Sequence, residues 1–158
     1  MFDVAQKIIS AEQAARWAAA WRLLSRPVVF TNGCFDLLHA GHVQYLQQAA
    51  NLGQYLIVGL NDDASVQRLK GPKRPINTLK DRALVLAGLG FVAAVVPFGE
   101  DTPLSLIKLI RPDILAKGAD YEIENIVGAK EVMGWGGRVE RMPLLPGRST
   151  TALIERLS

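Results

Sequence analysis

The chain's two histidines, His39 and His42, stand three residues apart in the run Thr31-Asn32-Gly33-Cys34-Phe35-Asp36-Leu37-Leu38-His39-Ala40-Gly41-His42. A short apolar stretch from Val28 precedes this run and an apolar pattern of helical spacing follows it, so the run joins a strand to a helix that starts near Gly41. A helix start offers unpaired N–H groups and a partial positive charge, which together hold an anion. Two imidazoles three residues apart reach one side of such a start and can donate to phosphate oxygens, while Gly33 and Gly41 let backbone and ligand approach closely. The package fits a phosphate attached to a nucleoside. Three other readings use the same residues: two ordinary satisfied histidines, a metal site with Asp36, His39 and His42 as ligands, or a Cys34–His39 nucleophilic pair. The last needs an orienting acid and an oxyanion hole as well, and Cys34 reads more simply as a small packed residue. The clustering of both histidines beside two glycines and Asp36 favours phosphate chemistry.

Other candidate groups lie downstream. Arg68, Lys70, Lys73 and Arg74 form the one dense basic stretch, in a segment rich in Gly and Pro that reads as a mobile loop, either a cationic clamp or a solvated face. Arg148, Ser149, Thr150 and Thr151 open the last helical pattern, where hydroxyls and free N–H groups converge; Ser149 is also an ordinary N-cap type. Asn61 and Asp62 are turn formers or ligands. Arg82 reads as a charge on a helix surface.

These residues need a scaffold that brings them together. At a prior of roughly 150 residues per domain, the 158 residues make one domain with an adequate core. An opening helix starts at Ser10 with Gln13 in a capping-box spacing and carries an Ala/Trp stripe through Ala14, Trp17, Ala18 and Trp21. It forms a helical extension over residues 1–25. Beyond it, short apolar runs alternate with helical patterns. Strands are expected at 28–31, 55–60, 93–96, 113–116 and 138–141, and helices at 41–52, 78–89, 102–110, 125–134 and from Ser149, with Thr102 and Pro103 as N-cap and first helical position. Such alternation implies a Rossmann-like α/β fold: a doubly wound, parallel, five-stranded sheet with helices on both faces. Ligands then sit at the carboxyl ends of the strands where the strand order reverses.

The stretch GCFDLLHAGH resembles the G-x-F-D-x-x-H-x-G-H signature of the cytidylyltransferase-like nucleotidyltransferases. The resemblance runs through residues 26–158, with Gly59-Leu60-Asn61-Asp62-Asp63, Arg68-Leu69-Lys70-Gly71, Arg74-Pro75, Asp81-Arg82, Lys117-Gly118-Ala119-Asp120-Tyr121 and Gly147-Arg148-Ser149-Thr150-Thr151. Within the superfamily the arrangement is similar to the adenylyltransferases of D-glycero-β-D-manno-heptose 1-phosphate, whose domain often occurs fused to a sugar kinase. That resemblance implies transfer of the adenylyl group of ATP to the sugar 1-phosphate, with pyrophosphate released, for lipopolysaccharide-type heptose supply. It implies His39, His42 and Lys70 as catalytic groups. Gly33, Phe35, Asp36, Gly41, Lys117, Gly118, Asp120, Arg148, Ser149, Thr150 and Thr151 would bind the nucleotide, and Asn32, Cys34, Asn61 and Arg74 the acceptor. Mg²⁺ is implied as the cofactor, bridging phosphates from the substrate side with no side-chain ligand assigned. A stand-alone domain with a separate upstream kinase, and a homo-oligomer, are further expectations. The cytidylyltransferases carry an arginine five places before the serine; here that place is Leu144 and the arginine is Arg148. This departure favours ATP over CTP and leaves glycerol 3-phosphate with CTP as the nearest alternative.

Composition narrows the classes. An excess of 18 Lys and Arg over 15 Asp and Glu, with no aromatic residues interleaved among the basic ones, argues against a nucleic-acid binder. The single cysteine excludes an internal disulfide and agrees with a reducing compartment. The amino terminus has no secretory pattern, and the longest uncharged run, residues 83–99, is broken by Gly88, Gly90 and Pro97. A cytoplasmic protein with no membrane partner is expected. A nucleotide-binding regulatory module without turnover is the alternative from another class.

Overall fold

Apolar runs without polar alternation must be covered on both faces. The computed structural model, which describes residues 1–158, builds them into one parallel sheet: β1 (Val28–Gly33), β2 (Tyr55–Asn61), β3 (Ala94–Phe98), β4 (Ile114–Gly118) and β5 (Arg138–Met142), in the order β3-β2-β1-β4-β5. The helices are α1 (Ala11–Leu23), α2 (Ala40–Ala50), α3 (Asp63–Lys70), α4 (Leu79–Ala87), α5 (Leu104–Ile110), α6 (Ala129–Gly134) and α7 (Thr150–Leu157). Single 3₁₀ turns cover Val4–Lys7 and Ile123–Asn125. No helix is long and apolar enough to cross a membrane.

Alternate strand residues feed two cores. Val28, Phe30, Ile57 and Leu115 pack with Ala14 and Ala18 of α1, Ile107 and Ile110 of α5 and Val132 of α6. Val29, Leu56, Val58 and Ala116 pack on the opposite face with Leu46 and Ala49 of α2 and Ala83 and Leu86 of α4. Each fully buried Leu, Ile or Phe adds about 1.5–3 kcal/mol, so the two layers fix the sheet. The Ala/Trp stripe of α1 closes the first layer: Trp21 stacks on Tyr55 at 4.0 Å between ring centroids, and Ile8 pairs with Val95 at the edge of β3.

The chain leaves β1 for β2 and β3 on one side and then crosses to β4 on the other. A crevice opens at that reversal, over the carboxyl ends of β1 and β4. β1 continues two residues past the expected end, to Gly33, which carries Asn32 and Gly33 to the rim.

Four sequence expectations need correction. The basic segment begins as a helix: Asp62 accepts the Ser65 N–H at 2.8 Å, Ser65 and Val66 are buried, and Gly71 ends the helix at φ +103°, so Arg68 and Lys70 lie in the last turn of α3. Thr102 is not an N-cap, because α5 starts one residue later behind Pro103 with no side-chain cap. The helix expected over 125–134 is shorter, since Gly128 at φ +88° separates the 3₁₀ turn from α6. Arg82 is not on the surface; it is 2% exposed.

Candidate active site

β1 runs into α2 through a strained corner. Phe35 holds φ +43°, a left-handed conformation that costs a non-glycine residue energy and tends to persist only where the surroundings enforce it. Gly33 makes the corner possible, because a Cβ there would lie 2.8 Å from the Phe35 ring. That ring meets His42 edge-on at 5.2 Å. His39 is the N-cap of α2: its Nδ1 accepts the Gly41 N–H at 3.1 Å, and His42 Nδ1 accepts the His39 N–H at 3.3 Å. The two imidazoles stack at 3.7 Å.

This reciprocal cap sets the protonation state. An Nδ1 that accepts from a backbone N–H carries no proton, so each neutral ring bears its hydrogen on Nε2 and presents a donor there. Burial pushes both pKa values down. His42, also facing His39, is lowered to about 4, and His39 is lowered further by the nearby Arg148 guanidinium. His39 Nε2 is buried with no partner in the protein. An unpaired buried donor is costly, and a ligand oxygen would relieve it.

The start of α7 faces the start of α2. Ser149 Oγ accepts the Ala152 N–H at 3.0 Å, which leaves its own O–H free to donate. Thr150 differs: its hydroxyl donates to the Leu37 carbonyl at 3.2 Å and ties α7 to the histidine loop, leaving only its backbone N–H for a ligand. Gly41 permits the approach of the two helices, since a Cβ there would sit 2.9 Å from His39 Cε1 and 3.0 Å from Arg148 Cβ.

Cations complete the walls. Lys70 reaches the crevice from α3. Lys117 ends β4 with its Nζ 5.2 Å from the centre of the Tyr121 ring; burial lowers its pKa, and Asp120 opposes the shift. Arg74 Nε donates to Asp36 Oδ2 at 2.7 Å. Asp36 is 2% exposed and also accepts the N–H groups of Ile76 and Asn77. Burial alone would raise its pKa, but these donors outweigh burial and hold it below the ordinary carboxylate value. Its carboxylate therefore organises the 74–77 loop.

Every residue named from the sequence as catalytic, nucleotide-binding or acceptor-binding lines one cavity of about 540 Å³. Cys34 is among them, half-buried, with burial the main cause of its raised thiol pKa. Sequence reasoning missed Tyr45, Leu69 and Leu145 on the same wall. Tyr45 stands one helical step beyond His42, a spacing that could have flagged it. Its hydroxyl bonds Thr31 Oγ1 at 2.8 Å, and burial pushes its pKa up to about 12. Arg82, part of the Asp81-Arg82 segment of the resemblance, is a structural element of the site. Its NH1 donates to the carbonyls of Cys34 (2.7 Å) and Asn61 (2.8 Å), Nε to that of Asn77 (3.0 Å), and NH2 to Asp63 (2.7 Å). One guanidinium thus ties the ends of β1 and β2 to the loop and to α3.

A family model described as cytidylyltransferase-like matches residues 30–156, which include both facing helix starts and all the cavity residues named above. The chain belongs to that family. It is 55% identical over 157 residues to the bifunctional protein HldE of Magnetococcus marinus, covering 99% of this chain and 32% of that protein. It is 57% identical over 136 residues to the bifunctional protein HldE of Syntrophotalea carbinolica, covering 86% and 28%. The chain spans about a third of the length of these curated relatives. Among solved structures it is similar to a lipopolysaccharide core biosynthesis protein from Thermoplasma volcanium, with a TM-score of 0.60, 26% identity, and coverage of 76% of this chain and 97% of that one. It also shares the fold of a pantoate-beta-alanine ligase from Francisella tularensis, with a TM-score of 0.65 at 14% identity over 96% of this chain and 73% of that one. The family match begins inside β1, so α1 lies outside it, although the alignment with the Magnetococcus relative covers nearly the whole chain.

Proposed function

We propose that the chain transfers the adenylyl group of ATP to D-glycero-β-D-manno-heptose 1-phosphate, giving ADP-heptose and pyrophosphate. The observation that carries this reading is the pair of facing helix starts, one bearing stacked neutral histidines and the other Arg148 and Ser149, in a chain 55% identical to a bifunctional HldE protein. An oxygen of the sugar phosphate attacks the α-phosphorus of ATP. The bond to the bridging oxygen of the β-phosphate breaks, and pyrophosphate leaves with the electron pair. A phosphate monoester is largely dianionic at neutral pH, so the attacking oxygen has no proton to lose and no general base is required.

Catalysis then rests on position and charge. His39 and His42 donate from Nε2 to oxygens of the α-phosphate, where charge grows in the transition state. Arg148, the Ser149 hydroxyl and the free N–H groups of α7 hold the β- and γ-phosphates. Lys70 supplies a further cation from α3, and Lys117, Gly118 and Asp120 flank the nucleoside. Mg²⁺ bound with ATP would supply charge neutralisation at the phosphates; Asp36, the buried carboxylate of the cavity, is already held by Arg74 and the 76–77 backbone, so no side chain is assigned to the ion. Leu144 lines the cavity beside Gly118, an apolar contact where the cytidylyltransferase pattern has an arginine, which supports ATP over CTP. Supply of the acceptor requires a kinase acting on the anomeric carbon's hydroxyl.

The test is pyrophosphate release with Mg²⁺, crossing ATP and CTP against heptose 1-phosphate and glycerol 3-phosphate. Turnover with ATP and the heptose alone is expected. Turnover with CTP and glycerol 3-phosphate alone would reverse the reading of Leu144, and silence throughout would favour a nucleotide-binding regulatory module.

A further inference from the structure

A second cavity of about 210 Å³ adjoins the main one and shares with it a wall that includes Asn32, Asn61 and Lys117. Its own polar groups are Asp101 and Thr102, before α5, and Asn125, at the end of the 3₁₀ turn. None of these last three belongs to the phosphate machinery. Leu115 and Ile126, both buried, give it an apolar floor.

The chemistry of the lining is specific. The main cavity collects histidines, cations and helix starts, all suited to phosphate. Apart from Lys117 on the shared wall, the smaller one collects amides, a hydroxyl and one carboxylate over an apolar floor, the mixture that hydrogen-bonds hydroxyl groups while covering a carbon skeleton. Asn61 is the informative residue. It is 3% exposed, its carbonyl is taken by Arg82, and its side-chain amide is used in none of the protein's internal hydrogen bonds. The amide faces both cavities and is free to hydrogen-bond a ligand in either. Asp101, exposed at the rim, accepts from Arg68 Nε through Oδ1 at 2.8 Å, which leaves its Oδ2 free to accept from a hydroxyl.

We propose that this second cavity seats the polyhydroxylated carbon skeleton of the acceptor, with Asn61 on the shared wall and Asp101, Thr102 and Asn125 as hydroxyl-reading groups. The inference rests on the adenylyl-transfer reading and adds the residues that select the acceptor. The acceptor's phosphate crosses the shared wall beside Lys117 to reach the α-phosphorus, so nucleotide and sugar approach from separate compartments.

Asn125 and Thr102 are exposed, and their replacement leaves the core intact. Steady-state pyrophosphate release is measured for Asn125→Ala and Thr102→Val with heptose 1-phosphate varied at saturating ATP. Alongside, calorimetric titration follows binding of the sugar phosphate in the presence of a non-hydrolysable ATP analogue. Loss of one or two hydrogen bonds to hydroxyls predicts a rise in KM and in the acceptor dissociation constant of about tenfold per variant, with KM for ATP unchanged. Wild-type turnover with unaltered acceptor constants in both variants would overturn this inference alone. A wild type that neither binds nor turns over the sugar phosphate would overturn the adenylyl-transfer reading and this inference with it.

Discussion

The two histidines act as a unit because each ring's Nδ1 is used by the backbone of the other's turn, leaving both Nε2 atoms as neutral donors. Donors that gain most as charge develops act on turnover more than on binding. His39→Ala and His42→Ala are each expected to lower kcat by about 10²–10³-fold, with much smaller changes in ATP affinity measured by titration. Equal losses in both would place the pair in ground-state binding instead. The lowered pKa values carry a second expectation. His42 falls from the ordinary 6.5 to about 4 in the folded chain, so between these values the unfolded chain binds more protons and stability declines as the pH drops. Melting temperature is expected to be flat above about pH 6.5 and to fall as the pH is lowered toward 4, and His42→Gln should flatten that slope. The Asp36 carboxyl, held below its ordinary value, acts only in more acid solution. The pair and its helix start were legible in the sequence, since both follow from local spacing. The neutral state was not, because it follows from the cap geometry and from burial, which spacing alone does not show; the Thr150 hydroxyl turned to Leu37 and the Asp36 carboxylate turned to residues 74–77 were not, because each depends on partners far along the chain.

Strands β1 to β4 were legible because burial on both faces leaves a mostly apolar run, whereas α3 was not. Its sequence, Asp63-Ala64-Ser65-Val66-Gln67-Arg68-Leu69-Lys70, is mostly polar, and the signals that define it are the Asp62 cap and the Gly71 stop. Placing Lys70 on a helix gives the cation a fixed approach. Lys70→Ala is therefore expected to reduce kcat/KM by at least about tenfold, and an unchanged value would leave that side chain in solvent. The burial of Arg82 was not legible for another reason: three of its four partners are backbone carbonyls, which no side-chain pattern reveals. Arg82→Met leaves the Cys34, Asn61 and Asn77 carbonyls without their donor and should cost about 3 kcal/mol, or roughly 10 °C in melting temperature. Gly41→Ala separates packing from chemistry. Alanine suits a helix, yet its methyl would press on His39 and Arg148, so thermal stability should hold while turnover drops.

At the scale of the molecule, the reversal of strand order between β1 and β4 opens one crevice, and the helix starts, the cations and the second cavity all face it. The general place of that crevice followed from the alternation of strands and helices alone. The second cavity beside it did not, because in the sequence the 3₁₀ turn that carries Asn125 reads as part of a longer helix and Thr102 reads as a helix cap. The central claim is that the bond formed joins the sugar phosphate to the α-phosphorus. The most direct test is ³¹P NMR of the wild-type chain incubated with MgATP and heptose 1-phosphate. The predicted spectrum gains the paired resonances of a nucleoside diphosphate sugar together with free pyrophosphate, in equal amounts. Appearance of ADP with inorganic phosphate, or of AMP with the sugar phosphate unchanged, would contradict it.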